Sequence, residues 1–405
     1  MRRGVCHSVQ CFSATGPKTP WVWLCADMLH NAVLKIAPIP VSTLTSRLNA
    51  IALTRKRVLD GRSAPAGVSL AQWIERSWQR CLAAGLKPDA PVEFELCANS
   101  LADDTQESNA QLVNVASSTM NHLARAIVNT RYFVILTNAQ GVVVDAQGAI
   151  DHSDPRAHLI TRVGTDLSEQ RMGTTAIGAT LAEMQPVWLH RGEHFFDATS
   201  AYSCAGAPIF APDGSCAGML DVTGVDTQER PELTHLVTQS ARKIENALVI
   251  HQGPALLLRL NWPGNAMGTD ADGLLSVDAD GYILGANPVA RQLVPGLNGP
   301  GMAPAHASEL FGAPFAQLFD ASKHPEKFLE LPLWSGLRLQ AQAIASGADL
   351  RPCSVTQPAT VSLRDLEAAM IRQALEDARG NVGQAARALG IGRATLYRKL
   401  GQRSA

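Results

Sequence analysis

Gly380 to Leu400 reads GNVGQAARALGIGRATLYRKL, and the spacing of its glycines and leucines predicts a helix-turn-helix. Just upstream, Ser362 with Asp365 three residues later makes a capping-box start. Leu363, Leu366, Met370, Ala374 and Leu375 then recur at helical spacing until Gly380 ends the helix. Asn381 caps a short second helix, Val382 to Leu389, whose Val382, Ala385, Ala386 and Leu389 face inward. Gly390 supplies the turn, because glycine takes a positive φ without steric cost, and a third helix leaves steeply from about Arg393. There Leu396 and Leu400 face inward and leave Arg393, Ala394, Tyr397, Arg398 and Lys399 toward solvent. From Gly380 to the end the basic residues are Arg387, Arg393, Arg398, Lys399 and Arg403, with no Asp or Glu. This is a local footprint for phosphate in a chain whose formal net charge is only -1. A capped helical hairpin packed on a neighbour is the plainer alternative, but charge, glycine turn and spacing together favour docking in a DNA groove.

At these residues the segment resembles the Fis-type helix-turn-helix that closes many bacterial enhancer-binding transcription regulators, through the pattern GN…AA..LGI.R.TLYRKL. The resemblance implies that Arg393, Thr395, Arg398 and Lys399 contact double-stranded DNA and that a homodimer binds a palindromic site. Tyr397, exposed on the same helix, joins them as a DNA-binding candidate.

At 405 residues the chain has room for two or three domains. Charged residues at 18% and hydrophobic ones at 46% place it among globular chains. Its eight cysteines show no CxxC pair, which reads as reduced, mostly buried thiols and points to the cytoplasm. No apolar run approaches eighteen residues, so no membrane span is expected. Residues 1–43, with Pro17, Pro20, Pro38 and Pro40 and no period, read as a poorly ordered extension, and Met28 is a candidate natural start.

From about Leu44 the pattern becomes regular. Leu70, Ile74, Trp78, Leu82 and Leu86 mark one amphipathic helix, and Leu112, Val115, Leu123 and Ile127 mark a longer one from about Glu107 to Val128. Strands follow at 132–137 and 142–146 around a turn at Asn138 to Gly141, then at 186–190, 206–210 and 217–222. The last two are joined by a Pro212-Asp213-Gly214 turn. A helix from about Pro231 to His251 completes an α+β layer able to hold a small molecule against its sheet. The runs ERSWQRCLAAGLKP (75–88), GTDLSEQRMGTTAIGATLAEMQPV (164–187), EHFF (193–196) and CAGAPIFAPDGSCAGMLDVTG (204–224) resemble the sensory GAF domain of acetoin-catabolism regulators. The domain is set at 44–252.

Trp188, His194, Phe195, Phe196, Tyr202 and Cys204 are the candidate ligand-binding residues, though aromatics at such positions are more often plain core. His190, Glu193 and His194 spell the H-x-x-E-H of one zinc peptidase class. That chemistry needs both histidines on one helix face, whereas Gly192 interrupts and PVWL reads as a strand, so a loop bordering the pocket is expected and no metal. Cys204 and Cys216 flank strands and read as buried packing, with a cysteine-based redox enzyme as the rival class.

GLLSVDADGYILGANPVARQLV, from Gly273, reads as strand, Asp280-Gly281 hairpin turn, strand and a helix opening near Pro288. It resembles the opening of a PAS-like domain, and the runs at 309–319 and 331–344 would complete a small α/β fold over 269–345; a plain linker is the alternative. The helix-turn-helix is set at 360–402. Relatives with this sensor and this end usually carry an AAA+ ATPase between them, but no GxxxxGK[ST] or GAFTGA sequence occurs here. The expectation is therefore a dimeric transcription regulator governed by a small-molecule effector, without cofactor, enzymatic activity or direct sigma-54 activation. RNA polymerase is a further candidate partner, and a ligand-independent accessory protein is the alternative.

Overall fold

Two antiparallel five-stranded sheets organise the computed structural model of the chain. It describes residues 41–59, 70–94, 102–297, 299, 301, 303–345, 382, 384 and 386. The chain divides into two compact units, 1–49 and 50–405. Of the first, residues 41–49 are described and are helical, so the described helix includes residues ahead of Leu44, where regularity was expected to begin.

Helix α1 spans Val41–Val58, α2 Gln72–Ala83 and α3 Ala102–Ala126. The amphipathic pattern holds in α2, where Ile74, Trp78 and Cys81 are buried on one stripe. The first sheet begins with β1 (Tyr132–Asn138) and β2 (Val143–Gly148). Three short helices follow, α4 (Pro155–Ile160), α5 (Glu169–Met172) and α6 (Ala176–Glu183). The chain returns through β3 (Val187–His190), β4 (Tyr202–Phe210) and β5 (Cys216–Val225), giving the spatial order β2-β1-β5-β4-β3. Helix α7 (Leu233–His251) then lies beside α3.

Side-chain alternation divides the strands between two cores. Val134 and Leu136 of β1, Ala205 and Ala207 of β4 and Leu220 and Val222 of β5 pack with the inner stripes of α3 and α7. Their neighbours Phe133, Ile135, Cys204 and Met219 face the opposite way, toward α4 to α6. The α+β class read from the sequence is the class observed, a GAF-like sheet with flanking helices.

The second sheet takes β6 (Leu256–Asn261), β7 (Gly273–Val277) and β8 (Ile283–Ala286), followed by α8 (Pro288–Leu293), α9 (Ala307–Leu310) and α10 (Phe315–Ala321). It closes with β9 (Leu329–Pro332) and β10 (Arg338–Ala345), in the order β8-β7-β6-β10-β9. The segment read as PAS-like is thus a sheet with short helices. Its central strand, β6, comes from upstream of the boundary drawn at residue 269. The buried Arg259 on β6 stands 3.5 Å from the carboxylate of Asp272, which also accepts from the backbone of Gly268 and Thr269.

Asn287 caps α8 and uses its whole amide. Its Oδ1 accepts from Leu274 N at 2.9 Å and Ala290 N at 2.8 Å, while Nδ2 donates to Asn246 Oδ1 at 2.7 Å and Asp272 O at 2.8 Å. One buried side chain therefore ties α7, β7 and α8 together. Asn287→Ala should cost about 3 kcal/mol in urea-induced unfolding, and Asn287→Asp, which sets a carboxylate oxygen against the acceptors of Asn246 and Asp272, should cost at least as much.

Among the described residues of the C-terminal segment, Val382, Gln384 and Ala386 are helical, with Ala386 buried and Gln384 exposed, in keeping with the inward placement of Ala386. The remaining expectations for that segment, including Arg393, Thr395, Tyr397, Arg398 and Lys399, lie outside the described residues.

Candidate functional site

The face of the first sheet turned toward α4 to α6 borders a cavity of about 30 Å³. Ile135, Tyr202, Cys204, Asp221 and Thr223 form its floor from β1, β4 and β5. Ile160, Leu167, Met172, Ala176 and Ile177 roof it with apolar side chains, and Thr175, His194 and Thr199 complete the wall. Thr175 is the N-cap of α6 and accepts from Gly178 N. Gly173, at φ 60°, makes the bend before it; a Cβ there would stand 2.9 Å from Cβ of Phe195.

His194, Tyr202 and Cys204, named from the sequence, meet at this cavity. Trp188, Phe195 and Phe196 do not line it. Trp188 alternates with the inward Val187 and Leu189, so it packs on the α3 and α7 side and stacks on the His190 ring. Phe195 and Phe196 form an edge-to-face pair buried with Ile51, Ile74 and Trp78. His190, Glu193 and His194 occupy a strand end and a 3-10 turn, where Glu193 accepts from His190 N at 2.7 Å. No group of metal-ligating side chains is present among the described residues.

The polar groups of the cavity form a chain whose protons can be counted. His194 Nδ1 lies 2.9 Å from Arg191 O, which only accepts, so Nδ1 carries the ring proton and Nε2 presents a lone pair 3.6 Å from Cys204 Sγ. The Thr223 hydroxyl contacts Asp221 Oδ2 and lies 3.2 Å from Cys204 Sγ, with one proton for two acceptors. The carboxylate is the stronger acceptor. The Cys204 thiol proton is then left for His194. Asp221 Oδ1, buried, has no hydrogen-bond partner among the described residues.

Burial dominates the electrostatics of this chain. It raises Asp221 to about 7 against the opposing Thr223 hydrogen bond, and it lowers His194 to about 4 despite the bond to Arg191 O. The Cys204 thiol is pushed well up, chiefly by burial and further by Asp221, and burial raises Cys216 too. An activated thiol nucleophile needs the opposite shift.

One side chain holds the loop that carries His194. From α1, Arg55 donates through Nη1 to Gly192 O and His194 O at 3.0 and 2.5 Å, and through Nη2 to Phe195 O and Asp197 Oδ1 at 3.0 and 2.7 Å. Its guanidinium also lies over the Trp78 ring, 5.6 Å from the centroid. Sequence reasoning passed over Arg55 because its loop partners are 137 to 142 residues away. It passed over Asp221 and Thr223 because MLDVTG reads as an ordinary alternating strand; the signal was an acidic residue inside a run otherwise apolar on both faces.

A GAF-like domain with a small cavity and a C-terminal helix-turn-helix is the equipment of a transcription regulator. Residues 53–246 match the family described as MimR, N-terminal domain, and residues 362–402 match the bacterial regulatory protein, Fis family, helix-turn-helix. The acetoin catabolism regulatory protein of Cupriavidus necator is 29% identical over 61% of this chain and 37% of its own length. The acetoin dehydrogenase operon transcriptional activator of Bacillus subtilis is 27% identical over 44% of this chain and 30% of its own length. The chain therefore spans about a third of these relatives. The crystal structure of the E. coli DhaR(N)-DhaL complex includes a chain 13% identical, covering 68% of this chain and 99% of that one, at a TM-score of 0.42. The relatives are transcriptional regulators, and this chain carries the Fis-type DNA-binding module. No helix among the described residues is long and apolar enough to cross a membrane.

Two outcomes follow from this geometry. Arg55→Ala should destabilise the protein by about 2–3 kcal/mol in chemical denaturation, with Arg55→Lys recovering less than half, because an ammonium cannot reproduce the planar fork. For pH, the raised folded-state value of Asp221 means that its stability contribution is present below about 4 and lost as pH rises through about 7. Asp221→Asn should therefore melt higher than wild type at pH 8, by on the order of 2–4 kcal/mol, with the gap shrinking toward pH 5 in thermal denaturation.

Proposed function

We propose that this chain is a sequence-specific DNA-binding regulator whose affinity for its promoter is set by a small-molecule effector held in the cavity of the GAF-like domain. The observation that carries the reading is the presence, in one chain, of a matched Fis-type reader and a sheet-floored cavity with buried polar groups in the MimR-type domain. The names of two relatives tie them to acetoin catabolism, and small oxygenated metabolites are the class to try first here. The protein acts in the cytoplasm as a homodimer on paired half-sites spaced by about one helical turn or a multiple. It neither hydrolyses ATP nor remodels sigma-54 polymerase, as the sequence carries no phosphate-cradling GxxxxGK[ST] loop. Arg393, Thr395, Tyr397, Arg398 and Lys399 contact the DNA.

Fluorescence anisotropy on the DNA upstream of its own gene and on scrambled DNA, over a salt series and with small ketones and alcohols, tests the reading. Promoter preference that shifts with one compound supports it; equal affinity for both DNAs refutes it. Arg398→Ala should weaken promoter binding by about 1–3 kcal/mol and scrambled DNA much less, whereas Arg403→Ala should chiefly reduce the salt slope.

A further inference from the structure

Among the described residues that line the cavity, Asp221 is the one with a buried oxygen that has no hydrogen-bond partner. Asp221 is fully buried on β5, between Ile135 of β1 and Gly206 of β4. Its Oδ2 is engaged by Thr223, and its Oδ1 has no partner among the described residues. Three of the lining donors are committed elsewhere: Tyr202 Oη donates to Arg156 O, Thr199 Oγ1 to Phe196 O, and His194 Nδ1 to Arg191 O. Leaving a buried acceptor unpaired is costly, and the natural remedy is a donor supplied by whatever occupies the cavity.

We infer that Asp221 is the specificity-determining residue of this cavity and that the ligand it selects is a small, largely aliphatic alcohol whose hydroxyl hydrogen-bonds Asp221 Oδ1. The inference rests on the effector reading above. Size sets one limit, since about 30 Å³ accommodates roughly the bulk of two or three water molecules. The apolar roof of Ile160, Leu167, Met172 and Ile177 sets another and favours an alkyl body. Asp221, raised to about 7, exists in both protonation states near neutral pH. A hydroxyl can donate to the ionised form and accept from the protonated one. A ketone satisfies only the protonated form and an ammonium only the ionised one, with the added expense of burying a second charge.

The test uses the full-length protein at pH 7.5 and three isosteric probes: propan-2-ol, acetone and isopropylamine. Their binding is measured by saturation-transfer NMR titration on wild type, Asp221→Asn and Ala176→Leu, the last adding bulk inside the cavity. Wild type should bind propan-2-ol about fourfold or more tightly than acetone, because only the roughly one quarter of Asp221 that is protonated at pH 7.5 can donate to a ketone, whereas both forms pair a hydroxyl. That ratio should collapse in Asp221→Asn, and Ala176→Leu should bind none of the probes. Equal binding of alcohol and ketone by wild type, a ratio unchanged in Asp221→Asn, or a preference for isopropylamine each overturns the role given to Asp221 while leaving an effector cavity in place. Failure of every probe to bind wild type, or undiminished binding by Ala176→Leu, overturns the cavity reading itself and this inference with it. If far-UV circular dichroism shows Asp221→Asn unfolded, the alcohol-to-ketone ratio of wild type decides alone.

Discussion

Strand β1 is buried at every residue from Tyr132 to Asn138, and β4 is nearly so. A sheet buried on both faces must be covered twice, and the two covers here are unlike. On one side α3 and α7 lay long amphipathic stripes over Val134, Leu136, Leu220 and Val222. On the other the cover is irregular, made of short helices and 3-10 turns between residues 155 and 199. Long regular helices pack densely against a sheet, whereas short elements held by their ends meet it less completely. The cavity lies on the irregular side for that reason.

Holding an irregular cover in place calls for polar clamps rather than more apolar surface. Arg55 grips the loop through its carbonyls, and Arg80 of α2 pairs with Glu169 and Glu183, fixing α5 and α6. Trp78 adds an Nε1 hydrogen bond to Glu193 O at 3.0 Å from a fully buried ring. The Arg80 pairs are partly open to solvent, so their value lies in geometry more than in net stability. Arg55 satisfies several backbone carbonyls at once, which a loop without a ladder cannot do for itself.

The sequence made the regular parts legible and the irregular parts dark. The stripe Leu112, Leu123 and Ile127 announced α3, and the turn at Pro212 to Gly214 announced the β4–β5 hairpin, because each has a period or a turn residue with a steric reason. Helices α4 to α6 span only 6, 4 and 8 residues, too short for a 3.6-residue period to emerge. Strand β6 was missed because LLLRLN places an arginine in the middle of an apolar run, and the arginine is tolerated only through Asp272, thirteen residues on. Of the candidate ligand residues, Tyr202 and Cys204 fall on the correct face of β4. Trp188 falls on the wrong face of β3, since one step along a strand reverses a side chain. Asp221 could have been found by asking what pairs an acid in the middle of GMLDVTG.

Two of the three strands that floor the cavity, β4 and β5, also lead away from it. β4 runs from Tyr202 and Cys204 to Phe210, and β5 returns from Cys216 to Asp221 and Thr223, in continuous register across nine paired positions with one bulge near the tip. At that tip Pro212 O accepts from Ala286 N at 2.8 Å and from Arg291 Nη2 at 2.6 Å, binding the hairpin to β8 and α8 of the second sheet. Beside it, Phe210 N donates to Glu245 on α7, whose carboxyl burial raises to about 7. One helical position further along α7, Asn246 meets Asn287. The ladder that buries Asp221 is therefore continuous, through the β4–β5 tip and α7, with the hydrogen-bonded contacts to the second sheet.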